Sequence, residues 1–192
     1  AIVAGGLLMP VLWIVYTTVH GPTSFNREWF VLGRSSHFWG RLLGGPPNLL
    51  VALGLISLYP LLAHSARRLT RVGYTLAVIG LVVPGGLDLF IWRAIGPPFF
   101  VPVVGTGLIL LAFGNRHDPR SQWQGLSLLM LIGILQMVAF ALALIPIEIY
   151  DQFGGYRIYG LFAHFLTGLG WAVLGVGYWR RQAPPPIGPA QI

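Results

Sequence analysis

Six apolar stretches, separated by short joints that hold nearly all of the charge, constrain this chain more than any other feature of it. A hydrocarbon layer of about 30 Å takes about 20 apolar helical residues to cross. The stretches run roughly from Ala1 to Val19, Pro46 to Ala63, Val72 to Trp92, Pro98 to Gly114, Trp123 to Ile147 and Tyr156 to Trp179. The composition agrees, with 55% hydrophobic residues, 9% charged residues and a mean hydropathy of +0.73. Ordinary soluble domains carry about 25% charged residues, so a soluble core is excluded. The expected fold is all-α: a polytopic integral membrane protein whose six transmembrane helices form three helical hairpins, with an interfacial segment between helices 1 and 2.

One membrane domain over residues 1–182 accounts for the chain, followed by a proline-rich flexible tail at 183–192. The longest polar joint, His20 to Gly45, leaves no room for a water-soluble catalytic domain. Within it an outer elbow at about 21–45 interleaves Trp29, Phe30, Phe38 and Trp39 with Arg27, Arg34 and Arg41, a pattern suited to the headgroup layer. Thr23 or Ser24 is placed to cap a short helix there. The first stretch has no basic n-region and no small-residue cleavage site, so it reads as a membrane helix and not a signal peptide.

All 12 basic residues are arginine, and they are spread over the joints and tails instead of forming a stripe. Nucleic acid is therefore not an expected partner; membrane lipids and other membrane subunits are. Arg67, Arg68, Arg71, Arg116, Arg120, Arg180 and Arg181 fall on one side, whereas Arg27, Arg34, Arg41, Arg93 and Arg157 fall on the other together with the acids Glu28, Asp88, Glu148 and Asp151. The positive-inside rule then puts both termini in the cytoplasm, and the expected location is a bacterial plasma membrane. Glu28, Asp88 and Glu148 also stand 60 residues apart, as a repeated hairpin would place them, although any hairpin-built membrane protein gathers turn residues outside and arginines inside.

Chemistry is restricted by what is missing. Without cysteine there is no thiolate metal site, iron–sulfur cluster or cysteine nucleophile, and without lysine there is no Walker lysine. His20, His37, His64, His117 and His164 show no metal-ligand spacing, and no G-x-S-x-G occurs. An enzyme is not expected.

Two intramembrane positions stand out. Pro84-Gly85-Gly86 precedes Asp88, so the third helix is expected to break or kink beside a carboxylate, the pattern of an ion or proton site. Pairing of Asp88 with Arg93, or solvation at the helix end, is the structural alternative. In the sixth stretch Gly160, His164 and Gly168 stand four apart, and Thr167, Trp171 and Gly175 continue that face. Gly160, Gly168 and Gly175 are suited to close helix packing, and they equally leave room for a haem or (bacterio)chlorophyll ligated by His164. A haem shared with His64 is disfavoured, because the two histidines lie at different depths. Besides His164, the polar residues at mid-membrane depth are Thr75, Thr106, Gln136 and Thr167. The expected function is a non-catalytic accessory or scaffold subunit of a larger membrane complex. A tetrapyrrole-binding subunit using His164, and a small transporter or channel using Asp88, are the alternatives.

Overall fold

The structure, a computed structural model, describes residues 1–20, 30–62, 68–92, 98–116, 124–152 and 154–182. Arg27, Glu28, Trp29, His64, Arg67, Arg93, His117 and the tail at 183–192 lie outside the described residues. The described chain is all-helical: α1 (Ile2–His20), α2 (Ser36–Gly44), α3 (Pro46–Ser57), α4 (Tyr59–Leu62), α5 (Arg68–Gly86), α6 (Val101–Asn115), α7 (Gln124–Ala143), α8 (Ile147–Gln152), α9 (Gly155–Gly160) and α10 (Thr167–Gln182). A π turn at Leu87–Trp92 prolongs α5, and a second at Leu161–Leu166 joins α9 to α10.

Five of these helical stretches are long and apolar enough to cross a membrane: Ile2–His20, Arg68–Trp92, Pro98–Asn115, Gly125–Ala143 and Gly155–Arg180. The second expected span is not one long helix. It divides at Leu58 into α3 and α4 because Pro60 lacks an amide hydrogen and its ring crowds the carbonyl of Ile56 one turn back. Leu58 keeps its own amide bonded to Gly54 O and Leu55 O, so the interruption leaves that donor satisfied.

The helices close into a ring: α1 packs on α3, α3 on α5, α5 on α6, α6 on α7, α7 on α10, and α10 returns to α1. Because α6 meets α7 and α10 meets α1 as extensively as most chain neighbours meet, the packing does not divide into three hairpins. The core inside the ring is built from Val51, Leu55, Leu108, Leu111, Leu129, Ile132, Trp171 and Leu174. Leu7, Val11, Ile79, Leu131 and Val173 point outward and are exposed, as side chains bathed in lipid would be.

Glycine sets the helix spacing. A methyl built on Gly6 would stand 2.7 Å from Gly168 O, and one on Gly168 would stand 2.7 Å from Gly6 O. The same reciprocal crowding joins Gly73 to Gly107 and Gly105 to Gly133, so α1 with α10, α5 with α6, and α6 with α7 touch backbone to backbone.

Of the elbow at 21–45, the described part begins at residue 30. A tight turn with Leu32 (φ 52°) and Gly33 (φ 68°) brings Val31 against Arg34, and α2 follows. Gly40, Leu43 and Gly44 of α2 are buried, and the helix packs against α1 and the Leu87–Trp92 turn. Phe30, Leu32, Arg34 and His37 stay exposed, with the Arg34 guanidinium 5.0 Å from the centre of the Phe38 ring. The described part of the elbow, α2 above all, is thus a lid on one end of the ring.

Candidate functional site

Both π turns carry a residue that the sequence singled out. A π turn holds one extra residue per turn, so some carbonyls lose their ordinary partners, and such bulges recur at functional sites. Asp88 lies in the first and His164 in the second. Of the expected break or kink at Pro84, a break does not occur. The helix runs on continuously to Trp92, and the π turn begins three residues after the proline.

Asp88 is 4% exposed. Its carboxylate occupies the space that a Cβ on Gly44 would fill, so α2 can close over it only because residue 44 is glycine. One turn on, Asn48 Nδ2 donates to Gly44 O at 2.8 Å. The Leu161–Leu166 turn is held by hydrogen bonds from outside the helix ladder. Thr167 Oγ1 donates to Phe162 O at 2.8 Å, while Gln136 Nε2 of α7 donates to Ala163 O at 3.1 Å and to Thr167 Oγ1 at 3.0 Å.

These pieces surround one cavity of about 60 Å³, lined among others by Gly44, Asn48, Asp88, Gln136, Tyr159, His164, Thr167 and Trp171. That is room for roughly two water molecules. Two polar atoms of the lining residues are buried without a partner, His164 Nε2 and the indole Nε1 of Trp171. A buried polar atom left unpaired costs about 1–3 kcal/mol, so a polar guest that reached either atom would be held there.

An aromatic cluster packs around the His164 ring. Its ring lies 5.2 Å from the Trp13 ring and 6.0 Å, edge-on, from Tyr159. Trp13 in turn contacts Tyr156 at 5.2 Å, and Tyr156 stacks on His20 at 4.5 Å with 24° between the planes.

The geometry therefore brings together Asp88, His164, Gln136 and Thr167, four residues picked out in the sequence, and leaves Thr75 and Thr106 exposed on the outside of the ring. Asn48, Tyr159 and Gly44 were not anticipated. Asn48, the one amide in an apolar stretch opened by Pro46-Pro47, was the available signal.

A tetrapyrrole does not fit beside His164. The space over Gly160 is filled by the Trp13 ring, that over Gly168 by Met9, Pro10 and the Gly6 backbone, and that over Gly175 by Ile2 and Val3. The remaining cavity is far below the roughly 300–1,000 Å³ of ordinary small-molecule pockets. Nor do three or more metal-ligating side chains converge anywhere among the described residues. Glu148 is exposed whereas Asp88 is buried, so the 60-residue spacing of acids does not mark equivalent places.

No protein-family model matches the chain, and no curated protein or solved structure is measurably similar to it.

Proposed function

We propose that this chain is a small membrane transport protein that passes protons, with Asp88 and His164 as the exchanging groups. The observation that carries this is that Asp88 and His164, each in a π turn of a different apolar helix, both belong to the lining of one small cavity inside the ring. Ionisable groups inside a membrane bundle are costly and are kept where they act. The cavity's size favours the proton: about 60 Å³ admits roughly two waters, whereas an organic solute or a hydrated cation needs more space. On this proposal the α3–α4 segment supplies a sixth crossing, and both termini face the cytoplasm of a bacterial cell.

An accessory-subunit role draws its support from the scarcity of buried ionisable groups, the aromatic elbow, the short tail and a glycine face free to receive a partner. Gly160, Gly168 and Gly175 are instead covered by α1 of the same chain, which leaves the transport role better supported.

The test is proton uptake into liposomes holding the purified full-length chain, read with an internal pH-sensitive dye under an imposed potassium diffusion potential. Wild-type liposomes should acidify faster than empty ones. Asp88→Asn should abolish that excess and His164→Gln should reduce it severalfold, with both variants still eluting as folded protein. Equal rates for wild type and empty liposomes, or for wild type and Asp88→Asn, would reject the proposal.

A further inference from the structure

A second concavity lies on the outside of the ring, between α1 and the α9–π-turn segment. It is a groove of about 330 Å³ lined by Trp13, Ile14, Thr17, Arg157, Ile158, Leu161 and Phe165. Its polar groups sit together at one end. α1 runs antiparallel to the segment that begins at Gly155, so Thr17 and Arg157 stand at the lid end while Leu161 and Phe165 lie deeper. From Arg157 to Phe165 is eight residues, about 12 Å along a helix.

We infer that this groove holds one phospholipid with an anionic headgroup, its phosphate on Arg157 and the upper part of one acyl chain along Ile14, Ile158, Leu161 and Phe165. Two features of the groove select that occupant. Its length is close to the roughly 15 Å depth of one leaflet's hydrocarbon, with the polar end at the bilayer surface as a lipid requires. Its charge is a single guanidinium with no carboxylate in the lining, and guanidinium pairs with phosphate through two parallel hydrogen bonds. A headgroup with one net negative charge neutralises that site, whereas a choline headgroup brings a cation of its own. A packed protein helix would have to supply an acid at the level of Arg157 together with a ridge fitting between Ile14 and Leu161. This inference stands apart from proton transport and survives or fails without it.

The experiment is native mass spectrometry of the full-length chain released from nanodiscs of phosphatidylglycerol or of phosphatidylcholine. Wild type should retain one phosphatidylglycerol per chain and release phosphatidylcholine, a preference of roughly tenfold or more. Arg157→Gln should erase the preference and Arg157→Lys should keep part of it. Leu161→Trp, which fills the groove below an intact arginine, should lose the retained lipid of either kind. Equal retention of the two lipids by wild type, undiminished retention by Arg157→Gln, or a lipid-free dimer would each overturn the assignment.

Discussion

The two π turns look alike but arise differently. The turn at Leu87–Trp92 comes just after Pro84, Gly85 and Gly86, where the two glycines loosen the helix locally, while the bond the proline removes is the one to Gly80 O, a turn earlier. The turn at Leu161–Leu166 has no proline; its carbonyls are caught by Thr167 and by Gln136 from another helix. One widening sits beside residues that weaken the helix itself, and the other is held by side chains that reach its carbonyls. The first should therefore persist when its surroundings change, while the second should depend on them.

The sharpest way to break that contrast is at the second turn. Gln136→Leu leaves Ala163 O without its donor in the bundle interior and should cost about 1–3 kcal/mol, seen as a lower thermal midpoint in detergent by tryptophan fluorescence. Gly160→Ala pushes a methyl into the Trp13 ring beside the same turn and should cost a comparable 1–3 kcal/mol by overpacking. Pro84→Ala should do the reverse at the first turn. Restoring an amide hydrogen and removing a poor helix former should leave stability equal or higher by up to about 3 kcal/mol. The regularised helix would also rotate Asp88 away from Gly44, so proton uptake should fall as stability rises. A Pro84→Ala protein with intact uptake would show that the π turn does not depend on the proline. The smallest effect belongs to Gly86→Ala: nothing lies within 4 Å of the added methyl, and a gain of about 0.5–1 kcal/mol is expected from helix propensity alone.

The same contrast explains how much could be read from the sequence. The expected span at Val72 to Trp92 matches a continuous helix from Arg68 to Trp92, and Pro98 to Gly114 matches Pro98–Asn115, because long apolar runs between arginines have few other solutions in a bilayer. Asp88 and His164 were visible as candidates since ionisable residues are rare in such runs. Their meeting was not visible. It requires α1 to close the ring against α10, and that closure depends on where Gly6 and Gly168 fall around two helices, which a linear pattern does not state. Gln136 was legible as a polar residue at depth, but its partners are carbonyls exposed only because the facing helix widens. The division at Leu58 did have a signal, Pro60, hidden by the high hydropathy on either side of it.

The glycine crossings carry a further consequence for how the chain tolerates change. Where Gly6 meets Gly168, Gly73 meets Gly107 and Gly105 meets Gly133, no side chain stands between the two backbones. Elsewhere in a protein an added methyl can be absorbed by a neighbour turning to another rotamer; here the facing backbone is in the way as well, and it has no rotamer to turn. A substitution at any of these six positions is therefore passed on as a displacement of whole helices, and because the ring is closed, a displacement at one seam is felt at every other.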